Sequence, residues 1–175
     1  NEQFESVKAS VNENIEANKI NITFKIEETE KVFIERINIF GNNVTRESVI
    51  RNQIEIDEGD PFNQILYSKS LNNIKALNFF EKVEGEILDG DEFNTKIINI
   101  KITEKATGEI FAGVGTGTDG SNFAFGIKEN NYLGRGVKVD SNLNVSEERI
   151  KGKLIVSHPN YKNSDKNLDL ALEAT

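Results

Sequence analysis

From Gly108 to the C-terminus, apolar residues recur at every second position in five successive segments: Ile110, Ala112 and Val114; Phe123, Phe125 and Ile127; Val137, Val139, Leu143 and Val145; Ile150, Leu154 and Val156; Leu168, Leu170 and Leu172. The intervening positions hold Gly113, Gly115 and Gly117; Asn122 and Lys128; Lys138, Asp140, Asn142 and Asn144; Lys151 and Lys153; Asp169 and Glu173. Side chains of a strand point alternately to opposite faces, so this period predicts consecutive strands with one apolar and one polar face. Two architectures use such strands. A soluble sandwich buries the apolar face against a second sheet, whereas an outer-membrane barrel turns it to lipid and keeps the polar face in its lumen. No stretch approaches the roughly 20 apolar residues of a membrane-spanning helix. A transmembrane barrel strand needs only about ten, so that absence leaves the barrel open.

The remainder of the chain repeats itself. With Phe80 aligned on Phe4, Glu81 and Val83 fall on Glu5 and Val7, Ile87 on Val11, Ile98 on Ile22, Ile100 on Phe24, Ile102 on Ile26 and Glu104 on Glu28, without a gap. The matched apolar positions are two apart, so each stretch reads as strand, polar turn, strand. Residues 1–28 are therefore expected to be the C-terminal part of one repeat and residues 32–104 a complete one, ordered strand, helix, helix, strand, strand. In the complete repeat, Phe33, Ile37 and Ile39 are expected on one side of a strand that ends in a turn at Gly41 and Asn42. Thr45 is positioned to cap a short helix over 45–53. Asp60 and Pro61 read as the start of a second helix, since proline at the first helical position gives up only an N–H that would be unpaired anyway. That helix carries Tyr67, Leu71, Ile74 and Leu77 as one buried stripe. The expected core is Ile37, Ile39, Leu71, Ile74, Leu77, Val83, Ile98, Ile100 and Ile102.

Composition excludes several functions. A net charge of -8 with no basic cluster opposes nucleic-acid binding. With no cysteine and a single histidine, neither disulfides nor a thiolate- or imidazole-rich metal site is available. The chain begins at Asn1 and contains no methionine, from which a fragment of a longer protein is expected. The string Gly-Thr-Gly-Thr-Asp-Gly at 115–120 has phosphate-loop spacing, but a strand pattern follows where a helix is required, so it reads as a hairpin turn. His158 has no partner base or nucleophile at a recognisable spacing, and the carboxylates are scattered, so no catalytic residue, cofactor site or metal site is expected.

The informative feature is an edge. A three-stranded sheet covered by two helices on one face leaves its outer strands able to pair with another extended chain. The edge strand expected to do so comprises Lys82, Val83, Glu84, Gly85, Glu86, Ile87 and Leu88. Each added hydrogen bond is worth about 0.5–1.5 kcal/mol net, so such binding would be weak, reversible and indifferent to sequence.

The run from Val32 to Glu104 contains Ile-Phe-Gly-Asn at 39–42, Thr45, Val-Ile-Arg at 49–51, Glu-Gly-Asp-Pro-Phe-Asn at 58–63, Ser70, Leu77 and Phe-Phe-Glu-Lys-Val at 79–83. It resembles a POTRA domain, the polypeptide-transport-associated repeat that precedes outer-membrane assembly barrels. Residues 105–120 resemble the junction to the barrel, and Glu-Asn-Asn-Tyr-Leu-Gly-Arg-Gly at 129–136 resembles the turn after the second barrel strand. Asn78, where the family usually has glycine, and His158-Pro159-Asn160-Tyr161, where Asp-Pro-aromatic is common, depart from the pattern. The resemblance implies an α+β POTRA repeat (β-α-α-β-β, three-stranded sheet with two helices on one face) followed, over residues 109–175, by the first antiparallel strands of a transmembrane β-barrel.

It also implies a non-enzymatic outer-membrane assembly factor, with its repeats in the periplasm and no cofactor. Its partners would be unfolded outer-membrane proteins, accessory lipoproteins and outer-membrane lipid, with no nucleic acid. The first barrel strand, about Glu109 to Thr118, would form one side of a lateral seam through Ile110, Ala112, Gly113, Val114, Gly115 and Gly117. Gly41, Asn42, Pro61, Gly134 and Gly136 are expected as structural turn residues. Two other readings remain: a two-partner-secretion or autotransporter-assembly relative with the same modules, and a soluble all-β binding module fused to a POTRA-like repeat.

Overall fold

The computed structural model describes residues 7–16, 19–28, 30–117, 120–161, 164 and 166–175, with side chains for all of these except 7–9, 16, 27 and 28. Phe4 and Glu5 of the internal repeat, the rest of the first six residues, and Thr118 at the end of the expected seam strand lie outside the described residues. The elements are β1 (Val7–Glu16), β2 (Lys19–Glu28), β3 (Phe33–Phe40), α1 (Glu47–Arg51), α2 (Gln64–Ala76), β4 (Phe80–Asp89), β5 (Thr95–Glu104), β6 (Gly108–Gly117), β7 (Gly120–Tyr132), β8 (Val137–Ser146), β9 (Ile150–His158) and β10 (Leu168–Ala174). Residues 33–104 thus follow the strand-helix-helix-strand-strand order expected. Among the described residues there are three sheets: β1-β2, β3-β5-β4 and β10-β9-β8-β7-β6. By internal contacts the chain divides into two compact units, residues 1–40, 54–73 and 84–101, and residues 41–53, 74–83 and 102–175.

In the first unit β1 and β2 form an antiparallel hairpin with Val11 opposite Phe24 and Ile15 opposite Ile20. Strand β3 runs parallel to β5. Its inward face differs from the expectation of Phe33, Ile37 and Ile39. A bulge falls between Ile34 and Arg36, so Ile34 and Ile37 share the core face despite being three apart, while Phe33 is exposed and Ile39 half-buried. One extra residue in a strand inverts the alternation beyond it, which is why a strict period of two misassigns this segment. The bulge residue Glu35 is put to use. Its carboxylate accepts hydrogen bonds from the Thr95 hydroxyl (2.9 Å) and the Asp91 and Glu92 N–H groups (2.8 and 3.4 Å), closing the β4–β5 turn. The Thr95 bond, with those backbone donors, holds Glu35 below the usual carboxylate pKa.

The Glu-Gly-Asp-Pro-Phe-Asn motif straps the outer edge of β3. Ile34 N–H donates to Asp60 O (2.9 Å), Gly59 N–H to Ile34 O (2.7 Å), Phe62 N–H to Val32 O (2.8 Å) and Ile37 N–H to a Glu58 carboxylate oxygen (2.9 Å). Pro61 therefore does not start a helix; it forms a bridge with Phe33. Helix α2 begins three residues later, where Asn63 Oδ1 caps it by accepting from the Ile65 and Leu66 N–H groups (2.9 and 3.2 Å). Buried Ser70 accepts from Glu55 N–H (2.9 Å) and donates to Leu66 O (2.7 Å), tying the strap's approach to the helix. Tyr67 and Leu71 lie on the sheet over Gly85: a Cβ at that glycine would sit 2.0 Å from the Tyr67 hydroxyl oxygen and 2.8 Å from Leu71 Cδ1. Ile98 and Ile100 are each 1% exposed and Lys101 is exposed, as the expected register of β5 requires, while Ile97 on the opposite face is also buried, at 7%.

In the second unit Ile50, Ile74, Phe79, Phe80, Val83, Ile102 and Val137 are buried. Helix α2 ends at Ala76, and Asn78 adopts φ +59°, the left-handed conformation favoured by glycine and tolerated by asparagine. The five C-terminal strands form an antiparallel meander. Its registers pair Ala112 with Phe125, Phe125 with Leu143, Val139 with Val156, and Leu154 with Leu172, so the alternating apolar set of all five strands shares one face, while Phe111 and Ile155 fall on the other. Lys138, Asp140 and Asn142 share the other, where Asn142 pairs with Lys153 and Lys153 bonds Glu173 at 2.7 Å. The apolar face is bare, with Ile110, Val114 and Leu172 at 74, 71 and 56% exposure.

Candidate functional site

Strand β5 is central in its sheet, which leaves β3 and β4 as the edges. The strap from Glu58 to Phe62 occupies the outer side of β3. The expected client-binding strand, Lys82 to Leu88, lies in β4, the edge that no such strap is seen to cover among the described residues. Its Val83 is buried in the core, Glu86 holds Lys101 at 2.8 Å and Gly85 receives Tyr67. Those three residues therefore fix β4 to its own domain, and only the backbone of the strand is suited to pairing outward.

Strand β6 is likewise an edge, paired with β7 from Gly108 opposite Glu129 to Gly117 opposite Gly120. All ten of its residues are exposed. A Cβ added at Gly113, Gly115 or Gly117 would meet nothing within 4 Å, whereas one at Gly126 of β7 would strike the Phe111 ring at 2.1 Å. The glycine run thus leaves β6 with few side chains to lock its outer pairing. The Gly115–Gly120 string lies on two strands paired as a hairpin, with residues 118–119 outside the described residues, so the phosphate-loop reading falls.

The third element is a polar junction that sequence reasoning did not assemble. Thr45 is 2% exposed and does not cap α1; the N-cap is Arg46, with no side-chain bond. The Thr45 hydroxyl instead accepts from Asn131 Nδ2 (2.8 Å), and its N–H donates to Glu104 (2.6 Å), as does that of Val44 (2.8 Å). Asn131 Oδ1 accepts from Gly136 N–H (2.7 Å), and Arg46 N–H donates to Gly134 O (2.9 Å). Gly134 and Gly136 have φ of +68° and +66°, and a Cβ on Gly134 would lie 1.9 Å from Val44 O. Gly41 is held the same way, with φ +90° and Ile102 O only 2.0 Å from where a Cβ would stand. Asn42 donates to Thr45 O (3.2 Å). Partial burial pushes the Glu104 carboxyl up, but the Thr45 hydroxyl and the Thr45, Val44 and Asn43 N–H groups outweigh it and hold the pKa below its usual value. The signal available in the sequence was Asn131 itself, inside the 129–136 motif; its partner lies 86 residues away.

His158 bonds only its neighbour's carbonyl and packs edge-on against Tyr161 at 5.5 Å, and no metal-binding cluster of acidic and histidine residues occurs among the described residues.

Residues 32–105 match the POTRA family, described as a surface antigen variable number repeat. Outer membrane protein assembly factor BamA of Nitratidesulfovibrio vulgaris is 25% identical over 98% of this chain and 22% of its own length. The BamA of Neisseria meningitidis serogroup B is 25% identical over 85% of this chain and 19% of its own length. The chain thus spans about a fifth of the length of these relatives. The crystal structure of BamA from Haemophilus ducreyi lacking POTRA domains 1–3 matches 97% of this chain and 33% of that one, with TM-score 0.77 and 23% identity, and so shares the fold. The chain is thus similar to BamA over nearly its whole length, with a POTRA repeat at residues 32–105 followed by five antiparallel strands.

Proposed function

We propose that this chain is part of an outer-membrane protein assembly factor that receives unfolded β-barrel clients in the periplasm and inserts them into the outer membrane, without a cofactor and without catalysing a covalent reaction. The observation that carries the reading is the C-terminal meander: five strands with a bare apolar face and an edge strand at each side. The smallest outer-membrane barrels have about eight strands, and an open sheet in lipid leaves backbone groups without partners, so these strands complete a larger barrel. In water the same face would need a covering sheet, which argues against the soluble binding module. Residues 1–28 serve as the last hairpin of a preceding repeat, residues 32–104 as the repeat next to the membrane and residues 109–175 as the opening barrel strands. Client strands add to β4, accessory lipoproteins dock on the repeats, and β6 forms one side of a seam that opens laterally.

The test uses the full-length protein in proteoliposomes with an unfolded barrel client. Alternate residues of β4 direct their N–H groups to opposite sides, so of Glu86→Pro and Ile87→Pro one breaks pairing with β5 and destabilises the repeat, and the other removes only an outward N–H. The outward variant is expected to keep the repeat's stability and lose client cross-linking to β4. Undiminished cross-linking in both variants would remove β4 as the receiving edge.

A further inference from the structure

Beside the polar junction, within the second unit, lies a cavity of ≈ 670 Å³. Arg46, Arg135, Lys138 and His158 line it, with Leu77 and Phe79 supplying apolar wall. No aspartate or glutamate contributes, although the chain as a whole carries a net charge of -8. Among the described residues neither Arg46, Arg135 nor Lys138 has an ion pair, and the one carboxylate of α1, Glu47, is held by Arg51 at 2.6 Å. Cations gathered without counter-charge call for an anion, and the apolar wall calls for one that carries a hydrocarbon portion.

The position narrows the choice. Arg135 belongs to the β7–β8 turn and His158 ends β9, so the cavity lies at the end of the sheet where β6 begins. Strands of ten residues, tilted as barrel strands are, span about 25 Å, the height of the apolar band, which puts their ends at the depth of lipid headgroups. We infer that this cavity binds the phosphate of an anionic phospholipid of the periplasmic leaflet, with Arg46 and Arg135 on the phosphate oxygens and Leu77 and Phe79 against the glycerol and first acyl carbons. The inference rests on the barrel reading above. Arg46 also follows Thr45 of the polar junction, so a lipid held here links the membrane surface to that contact.

The test places the full-length protein in nanodiscs of phosphatidylcholine doped with photoactivatable phosphatidylglycerol, and maps labelled peptides while the doped fraction is raised. Label is expected in the segments around Arg46 and Arg135. Arg46→Gln with Arg135→Gln should raise the half-saturating fraction by about 30-fold, from roughly fivefold per basic residue at a membrane surface. Arg149→Gln with Lys151→Gln, the same charge change at the opposite end of the sheet, should leave it unchanged. An equal loss in both double variants, or none in the first, overturns the site. Protection by inorganic phosphate as strong as that by phosphatidylglycerol assigns the pocket to a soluble anion and overturns the lipid. A heat-modifiable electrophoretic shift reports barrel insertion separately. Wild-type protein that inserts but carries no label in these segments sinks the lipid site alone, whereas failure to insert takes the barrel reading down with it.

Discussion

Removing the Asn131 side chain tests whether the polar junction holds the 131–136 turn to the loop before α1. Asn131 is 5% exposed and makes two bonds through its amide, from Nδ2 to the Thr45 hydroxyl (2.8 Å) and from Gly136 N–H to Oδ1 (2.7 Å). Asn131→Ala deletes both. Each neutral bond contributes about 0.5–1.5 kcal/mol net, and the buried Gly136 N–H is left without an acceptor, so the contact should weaken by about 2–4 kcal/mol. The reporter is the Arg46 amide, which donates to Gly134 O at 2.9 Å and is untouched by the substitution. If the turn opens locally, native-state hydrogen exchange at Arg46 should accelerate by about 30- to 700-fold, the loss converted at tenfold per 1.4 kcal/mol. Thr45→Val removes the other end of the same bond. The double variant should therefore cost less than the sum of the singles by about 1 kcal/mol. Unchanged Arg46 exchange in Asn131→Ala, or strict additivity with Thr45→Val, would show that the bonds seen do not carry the contact.

Three further outcomes follow from the packing. Gly85→Ala places a methyl against the Tyr67 hydroxyl and Leu71, and should destabilise the repeat by about 1–3 kcal/mol in urea unfolding, whereas Gly113→Ala, in open space, should not. Ile100→Ala, at 1% exposure, should cost about 2–5 kcal/mol by the same measurement. Because the folded pKa of Glu104 lies below its usual 4.5, its contribution is complete above that value and is lost as pH falls through the lower folded one. Arg46 and Gly136 amide protection should accordingly fall over that acidic window, and Glu104→Gln should flatten the dependence.

Much of this architecture is written locally. Alternation across residues 110–172 set the two faces of the meander, because a period of two survives any strand order and any register that keeps the apolar face together. The internal repeat and the motifs of residues 32–104 likewise specified strand, helix, helix, strand and strand, and the register of Ile98 and Ile100 in β5. The errors fall where a residue's partner is remote. Thr45 has the chemistry of a helix cap, but its hydroxyl is committed to Asn131, 86 residues on. Asp60 and Pro61 have the chemistry of a helix start, but the backbone there is drawn onto β3 as a strap, and the cap passes to Asn63. The bulge before Arg36 exchanges Phe33 for Ile34 in the core because Glu35 is pulled to the β4–β5 turn. A backbone or hydroxyl group offers the same donor or acceptor to a local and a distant partner, and burial decides which it keeps. That choice, and the order β3-β5-β4 that makes β4 an edge, exist only once the chain has folded.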